Sequence, residues 1–511
     1  MKRTAFVIVV ITLLSKILGL VRDVTLAYYY GASNVSDAYL ISLTIPGIIF
    51  TFIGVGLSTS FIPIYSNILN DGDQKSAHRF MSNTINFLLL ICTIIAFICI
   101  LFAKPSVKLF ASGFKGETLE MAVGFTRISI FGIYFSGLIN IYSSYLNVNN
   151  KFVVPTIMGI PFNLTIMLSI VLSINVNTMM LSIGNVLAVA FQFLFLLLFV
   201  RKEGYRYKIL LDKNDKYLRK MIRLSLPVIL GVSVNQINTL VDRTIASNIV
   251  LGGISALNYA DKLNLFINGV FVMPIAIVMY PMISKMAAEK NFEGLKKSIF
   301  EVINVISLLV IPITIGAIIF SKQFICILFG RGAFDNTAIK ITADALFFYS
   351  IGMIGVGFRE VLSRVFYSLQ DTKTPMVNAG ISMLLNIVLN IILSKYLGIG
   401  GLAFATSLSA IFCSFLLFIS LRKKIGAFGI KNISITFLKI CCASLIMGFL
   451  TKLSYNALLN IINTNFSLLI SIGIGVLTYF VIIYFMRIED VDIIAYTIIS
   501  KFRKIASNIN Q

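Results

Sequence analysis

Long apolar runs separated by short polar stretches dominate the chain from Ala5 to Met486. A helix needs ~20 mostly apolar residues to cross a bilayer, and fourteen runs reach this length. We therefore predict an all-α polytopic membrane protein. Its fourteen transmembrane helices are expected at 5–30, 38–67, 83–103, 122–147, 153–174, 179–200, 224–250, 262–284, 299–320, 342–368, 375–396, 400–421, 434–453 and 467–486.

Basic residues alternate between the polar stretches in a way that predicts the orientation of the chain. With the N-terminus inside, the inner stretches hold 27 Lys and Arg, and the outer side holds 8 when Lys395 and Lys452, at the outer ends of their spans, are counted. Because cytoplasmic loops carry such an excess, both termini are predicted to be cytoplasmic. The first run follows Lys2 and Arg3 but has no Ala-x-Ala site, so we expect an uncleaved first span.

Composition excludes a soluble enzyme. Of the 511 residues, 58% are hydrophobic and 13% are charged, with a formal net charge of +22, whereas soluble domains have about 25% charged residues. The basic residues lie in short loops rather than in one patch, so nucleic acid is not expected as a partner. The single histidine, His78, is predicted to be a solvated loop residue. The six cysteines have no CxxC spacing, and we expect no catalytic residue and no bound cofactor apart from a coupling ion.

A weak internal repeat divides the chain. Two stretches have the same spacing of seven residues from glycine to alanine: Arg22-Asp23 with Gly31 and Ala38, and Asp242-Arg243 with Gly253 and Ala260. The repeat predicts two pseudo-symmetric six-helix lobes, 1–210 with helices 1–6 and 211–424 with helices 7–12. Residues 425–511 add helices 13–14 and a cytoplasmic tail. Lobes of this kind can rock about a central cavity, which is alternating access.

Charged residues inside the first span need a reason, because each costs ~2.5–3.5 kcal/mol on insertion scales. Lys16 and Asp23 are seven residues apart and share a helix face, with Arg22 about 100° away. One interpretation is an internal ion pair of Asp23 with Arg22 or Lys16 that fixes helix packing. The other is that surplus positive charge from Lys16, Arg22 and Lys262 faces the cavity and receives an anion such as a phosphate.

Polar residues in later spans indicate a second candidate site. Asp242 lies in the seventh span, Asn386 and Asn390 are four residues apart in the eleventh, and Thr406 lies in the twelfth. Their carboxylate, amide and hydroxyl oxygens suit a small hard cation such as sodium. Hydrogen bonds between helices are the competing explanation.

The densest basic stretch runs from Arg201 to Arg223 and contains nine Lys and Arg. At its end, Leu218, Met221, Ile222 and Ser225 follow helical spacing. The pattern predicts either a short amphipathic helix on anionic lipid or an ordinary cytoplasmic loop.

Several longer motifs make the chain resemble the MurJ (MviN) family. They are Ser15-Lys-Ile-Leu-Gly-Leu-Val-Arg-Asp23, Phe329-Gly-Arg-Gly-Ala-Phe-Asp335 and Arg364-Val-Phe-Tyr-Ser-Leu-Gln-Asp-Thr-Lys-Thr-Pro375. The family consists of lipid II flippases in the superfamily that includes MATE exporters, with fourteen helices in two lobes. The resemblance implies a multi-pass cell-membrane protein that moves the undecaprenyl-diphosphate-linked peptidoglycan precursor to the outer leaflet, driven by membrane potential or sodium.

The resemblance also implies roles for particular residues. Arg22, Asp23 and Asp37 match charged cavity positions of the family, and Lys16 and Lys262 stand where many members have arginine. A proposed sodium site is matched by Asp242, Asn386, Asn390 and Thr406, although Asn390 stands where a carboxylate would be expected. The two extra helices are expected to form a groove for the lipid tail.

The remaining expectations concern partners and rival functions. We expect a monomer that contacts lipid II and membrane lipids, with cell-wall synthesis proteins as further partners. The alternatives are a flippase for another polyprenyl-linked glycan, of the capsule, O-antigen or teichoic type, and a MATE-like drug exporter. The basic excess of the first span argues against the exporter, because cationic drugs call for carboxylates.

Overall fold

The computed structural model describes residues 2–427 and 429–486, and the regular elements in these ranges are helices. The tail predicted after Met486 lies outside the described residues. The helices are α1 (Lys2–Tyr30), α2 (Asn34–Asn70), α3 (Gln74–Leu101), α4 (Ala103–Phe110), α5 (Gly116–Ser129), α6 (Gly132–Val148), α7 (Val153–Ile157), α8 (Gly159–Asn175), α9 (Met180–Lys202), α10 (Lys216–Ile249), α11 (Gly253–Ile267), α12 (Met273–Ala288), α13 (Phe292–Ile319), α14 (Ser321–Phe329), α15 (Asn336–Ser368), α16 (Lys373–Ile425), α17 (Ile430–Leu458) and α18 (Thr464–Phe485). A π-helical turn, Asn268–Val272, joins α11 to α12.

Each predicted span overlaps one or more of these helices, which confirms the all-helical polytopic fold. Within the described ranges, ten helical segments are long and apolar enough to cross a membrane, or eleven if the bent pair α5–α6 is one span. One of the ten, α16, contains two predicted spans joined at Gly398, whose φ of 57° and ψ of −133° are non-helical. The count of fourteen spans and the cytoplasmic location of the termini stay predictions.

Polar side chains set where several helices begin. Asp73 accepts a hydrogen bond from the backbone N–H of Ser76 at 2.8 Å at the start of α3. In the same way Asp215 caps α10 and Asn291 caps α13. A cap of this kind satisfies a backbone donor that has no partner inside the helix.

The chain packs as two compact units. The first contains residues 1–259 and 329–339, and the second contains 260–328 and the chain from Lys340 onward. The first unit thus includes α1–α10 and the loop between α14 and α15. The lobe boundaries predicted at 210 and 424 were drawn from a sequence repeat rather than from packing, and they stay predictions.

In the second unit, α18 packs against α17 through small residues. Ser467, Ser471 and Gly475 recur every four residues and are buried. A Cβ atom on Gly475 would lie 2.3 Å from Oγ1 of Thr451 on α17. Small residues at this spacing let two membrane helices approach closely.

A proline connects α18 to α13. Pro312 has no N–H, so the carbonyl of Leu308, four residues earlier, has no donor within α13. The hydroxyl of Tyr479 on α18 donates to this carbonyl at 2.7 Å. The bond satisfies an acceptor that would otherwise be unpaired in an apolar interior.

The stretch from Arg201 to Arg223 is not one amphipathic helix. Residues 203–215 form an extended segment, and α10 begins at Lys216. Leu218, Met221 and Ser225 are buried in α10, whereas Ile222 is exposed, so most of the face with helical spacing packs against protein. His78 lies within α3, half-buried, with its ring centroid 5.4 Å from that of Tyr205. The predicted solvated loop position of His78 is therefore wrong.

Candidate functional site

The charged pair of α1 forms an ion pair. Nη2 of Arg22 lies 2.7 Å and Nε 3.0 Å from Oδ1 of Asp23. The Asp23 side chain is 9% exposed and that of Arg22 is 21% exposed. The positive charge of Arg22 is therefore balanced by its neighbour. A ligand anion would have to compete with the Asp23 carboxylate or share the guanidinium, which has donors to spare.

Two lysines of the predicted cavity set are half-buried. Lys16 lies on α1 and Lys262 on α11. Neither has an ion pair among the described residues. Lys16 belongs to the first unit and Lys262 to the second. Lys16 is therefore a cation of α1 that no described carboxylate pairs with.

Asp37 lies in the first turn of α2, close to where α1 ends. This end of the two helices is the predicted outer side. Asp37 is 1% exposed. Its Oδ2 accepts from the N–H of Gly252 at 2.9 Å, and its Oδ1 accepts from the N–H of Ser255 at 2.7 Å. Both oxygens thus hold the first turn of α11, where a carboxylate also interacts favourably with the helix dipole. These contacts join α2 to α11 within the first unit.

Glycines let three loops meet at this end. Gly252 has φ +79°, and a Cβ there would lie 2.2 Å from the carbonyl oxygen of Ala32. Gly332 has φ +63°, and a Cβ there would lie 2.2 Å from the carbonyl oxygen of Tyr28. Any larger residue would clash with backbone at both positions. We call this cluster, formed by residues 28–37, 250–259 and 329–335, the outer cluster.

The long helix α10 contacts the predicted N-lobe at both ends. Near its start, Oγ of Ser225 donates to the carbonyl of Gly56 at 2.7 Å and lies 3.2 Å from Oγ of Ser60, both on α2. Near its end, Nδ2 of Asn248 donates to Oγ of Ser112 at 2.7 Å. The two contacts lie at opposite ends of α10, the first towards the predicted cytoplasmic side. Both ends of α10 are therefore hydrogen-bonded to residues of the predicted N-lobe.

The proposed sodium ligands are divided between the units. Asp242 lies in the first unit, where Nδ2 of Asn238 is 3.5 Å from its Oδ2. In the second unit, Asn390 donates to Oδ1 of Asn386 at 2.8 Å, and Asn386 donates to Oγ1 of Thr406 at 3.4 Å. The amide and hydroxyl groups therefore bond to one another, which favours the helix-packing explanation for these three residues. The described residues contain no group of three or more His, Cys, Asp and Glu that could hold a metal ion.

The second unit has an apolar groove of about 850 Å³ between α11, α13, α14, α17 and α18. Aromatic and aliphatic side chains form its walls, among them Phe271, Phe320, Met447 and Phe480. The polar groups of the wall are already engaged: the Thr451 hydroxyl donates to the Met447 carbonyl at 2.7 Å, and the Tyr479 hydroxyl donates to that of Leu308. Because its walls offer so little unpaired polarity, the groove suits a hydrocarbon chain.

The sequence had not assigned a role to Tyr479 or Ser255. A proline inside a predicted span marks an unpaired carbonyl four residues earlier, which is a signal for a donor on a neighbouring helix. That signal does not identify Tyr479, which lies 171 residues beyond Leu308. Ser255 donates its backbone N–H to Asp37. Because every residue except proline has this donor, the side-chain pattern of the sequence gives no sign of the contact.

The chain matches a family model described as lipid II flippase MurJ over residues 26–473. It is 30% identical to a probable lipid II flippase MurJ of Buchnera aphidicola subsp. Baizongia pistaciae over 88% of this chain and 89% of that protein. It is 31% identical to a lipid II flippase MurJ of Thermosipho africanus over 92% of this chain and 93% of that protein.

Solved structures give the same picture. A lipid II flippase MurJ in an inward closed conformation superposes with a TM-score of 0.82 at 30% identity, covering 94% of this chain and 98% of that one. An inward-facing multidrug resistance MATE transporter of the MOP superfamily superposes with a TM-score of 0.71 at 15% identity, covering 83% and 98%. The second likeness shows a shared fold alone.

Proposed function

The chain belongs to the MurJ family of lipid II flippases, and we propose that it carries lipid II from the cytoplasmic to the outer leaflet by alternating access. It is a multi-pass membrane transporter rather than an enzyme. The substrate joins a large polar headgroup, a diphosphate and a long polyprenyl chain. A carrier for it must shelter the polar part inside the protein while the chain stays in an apolar environment.

The apolar groove is the observation that carries the proposal. Its walls include α17 and α18, the helices that lie outside the predicted six-helix repeat. The groove has room for part of a polyprenyl chain, and burial of hydrocarbon there gives about 25 cal/mol for each Å² removed from water. We assign the groove to the lipid tail, as the family resemblance implies.

The cations of α1, Lys16 and Arg22, are assigned to the diphosphate, and the role of Lys262 stays a prediction from the sequence. Lys16 and Lys262 are half-buried without an ion pair among the described residues, and Arg22 has further donors beside its bond to Asp23. Since a diphosphate is anionic, an inside-negative potential favours its outward movement by ~2.3 kcal/mol per charge per 100 mV. The membrane potential is thus sufficient to set the direction of transport, and no step of the proposed transport requires sodium.

The contacts at the two ends of α10 are assigned to gates. Opening towards the cytoplasm would break the contact of Ser225 with α2, and opening outward would break the contact of Asn248 with Ser112 together with the outer cluster around Asp37. Each gate consists of a few hydrogen bonds and close backbone contacts, which can be exchanged at modest cost. In this assignment Asp37 holds the outer gate and does not contact the substrate.

Flipping in vesicles of defined composition tests the substrate assignment. Purified protein is reconstituted with fluorescent lipid II, and a membrane-impermeant quencher reports the fraction that reaches the outer leaflet. We expect fast loss of fluorescence with lipid II and slow loss with O-antigen or teichoic precursors on the same polyprenyl diphosphate. Equal rates for all three would favour a general polyprenyl-glycan flippase, and no flipping of lipid II would refute the proposal.

A further inference from the structure

The extended segment 203–215, which we call the strap, is fixed along the start of α3. Nδ2 of Asn83 donates to the carbonyl of Asp212 at 2.8 Å, and its Oδ1 accepts from the Asp212 N–H at 2.8 Å. Nδ2 of Asn86 lies 3.1 Å from the carbonyl oxygen of Lys208 and 2.9 Å from that of Leu210. The Tyr205 hydroxyl lies 2.8 Å from Oγ of Ser82. The strap is therefore a built element with a defined face.

That face presents apolar side chains to the outside. Ile209 is 91% exposed and Leu211 is also exposed, whereas the exposed Tyr207 donates its hydroxyl to Oδ1 of Asn86 on α3. The strap is fixed by hydrogen bonds, yet Ile209 is almost fully exposed. The strap therefore leaves apolar surface that needs a partner. The strap contacts α3 next to Asn86, where the apolar run of that helix begins. Its exposed side chains therefore lie at the height of the membrane interface rather than in bulk cytoplasm.

The charge of the strap identifies the partner. Its carboxylates are engaged: Glu203 pairs with Lys151 at 3.1 Å, Asp212 pairs with Arg79 at 3.2 Å, and Asp215 caps α10. Arg206 and Lys208 flank Tyr207, are exposed, and have no ion pair among the described residues. Apolar side chains beside unpaired cations are typical of segments that bind anionic lipid surfaces.

We propose that the strap inserts Ile209 and Leu211 into the cytoplasmic leaflet while Arg206 and Lys208 bind the phosphate groups of anionic phospholipids. This anchors the end of the first unit where α10 begins. The inference rests on the fold of the first unit and on the predicted orientation, and it does not depend on which lipid-linked sugar is transported.

The absence of tryptophan from the chain gives a direct probe, because the sequence contains none. An Ile209→Trp variant of the full-length protein therefore reports from one position by fluorescence. It is reconstituted into vesicles of phosphatidylcholine alone and of an equimolar mixture with phosphatidylglycerol. In the mixture we expect blue-shifted emission, quenching by brominated lipid, and about threefold weaker quenching by acrylamide than at an aqueous reference position.

Two reference variants calibrate the measurement. Glu289→Trp lies in the loop between α12 and α13, where the side chain is 55% exposed, and Leu477→Trp lies on an exposed face of α18. Adding Arg206→Gln and Lys208→Gln to the Ile209→Trp variant should remove the effect of phosphatidylglycerol while melting temperature stays unchanged. Arg206, Lys208 and Ile209 are all exposed, so the three substitutions do not disturb the core.

Three outcomes would overturn the proposal. If acrylamide reaches the Ile209→Trp probe as easily as the Glu289→Trp probe in both vesicles, the strap does not insert, and its exposed face is left for a protein partner. If the shielding is the same with and without phosphatidylglycerol, anionic lipid is not recognised. If the shielding survives loss of both cations, Arg206 and Lys208 are not the lipid ligands.

Discussion

At the scale of single residues, the charges of α1 carry both structure and function. Arg22 and Asp23 form a pair that is largely withdrawn from solvent, and removal of one partner from such a pair costs about 3–5 kcal/mol. A simple alanine substitution at Arg22 therefore combines two effects, the loss of a proposed substrate ligand and the creation of an unpaired carboxylate. The two effects can be separated by removing both charges together.

We predict that Arg22→Ala abolishes lipid II flipping and lowers the melting temperature. In the double variant Arg22→Ala/Asp23→Asn the melting temperature should recover, because no buried charge is left unpaired, while flipping stays at least about tenfold below wild type. Both are measured on purified protein, by thermal unfolding and in vesicles. Recovery of flipping in the double variant would mean that Arg22 serves to neutralise Asp23 and does not bind the diphosphate.

A second pair lies outside the predicted spans and joins Asp371, in the loop between α15 and α16, to Lys424 in the last turn of α16. Nζ of Lys424 lies 2.6 Å from Oδ2 of Asp371, and Asp371 also accepts from the N–H of Thr374 at 3.0 Å. The Lys424 ammonium and the Thr374 N–H lower the pKa of Asp371 to about 2. Because the pKa in the folded state is below the ordinary value of about 3.9, these contacts stabilise the fold above about pH 4. Their contribution is lost as the pH falls towards 2.

We predict that Asp371→Asn destabilises the protein by about 1 kcal/mol at pH 7, and that its melting temperature approaches that of wild type as the pH is lowered towards 3. Lys424→Met should have a similar effect, and the two changes together should cost little more than either alone. Thermal unfolding in detergent at several pH values measures this. A difference between Asp371→Asn and wild type that does not shrink at low pH would contradict the assignment.

At the scale of elements, α18 depends on a hydrogen bond that a proline makes necessary. The Tyr479 hydroxyl pairs the Leu308 carbonyl that Pro312 leaves without a donor. Since this contact lies in the wall of the groove, it fixes the spacing between α13 and α18. An unpaired carbonyl there would cost about 1–3 kcal/mol.

We predict that Tyr479→Phe destabilises the protein by about 1–2 kcal/mol in the wild-type background. In a Pro312→Ala background it should be nearly neutral, because the alanine N–H can bond to the Leu308 carbonyl within α13. A double-mutant cycle of melting temperatures measures the coupling. If Tyr479→Phe costs the same in both backgrounds, the hydroxyl does not act through the proline-freed carbonyl.

Helices were the part of the structure that the sequence predicted well, because an apolar run long enough to span a bilayer must satisfy its backbone within itself. Short α4 and α14 were not predicted, since eight or nine residues give no length signal. The helical spacing of Leu218, Met221, Ile222 and Ser225 belongs to α10, and nothing in the sequence indicated that residues 203–215 are held against α3. The pairing of Arg22 with Asp23 was one of two open interpretations, and the capping of α11 by Asp37 was not predicted because its partners lie 215 and 218 residues away.

At the scale of the whole molecule, the proposed function places tail binding, diphosphate binding and gating in different parts of the protein. In the proposed function, the apolar groove of the second unit is assigned to the lipid tail, the cations of α1 to the diphosphate, and the contacts at the two ends of α10 to gates. Alternating access is the central claim, and it requires that the contacts at each gate break in turn. A fixed link across either gate should then stop transport without unfolding the protein.

Disulfide links across these contacts test the claim in a background whose six cysteines are replaced by alanine. Ser60→Cys/Ser225→Cys joins α2 to the start of α10, where the two hydroxyl oxygens are 3.2 Å apart. Ser112→Cys/Asn248→Cys joins the other end of α10, where the bonded side-chain atoms are 2.7 Å apart. The matched control, Ser42→Cys/Ser129→Cys, links α2 to α5 within the predicted N-lobe, with hydroxyl oxygens 3.5 Å apart.

The decisive measurement is the rate of lipid II flipping in vesicles for each oxidised pair, before and after reduction. We predict that either link across α10 slows flipping at least about tenfold and that reduction restores it, while the control pair flips at the wild-type rate in both states. Wild-type flipping by protein fully cross-linked at either end of α10 would contradict alternating access through these gates.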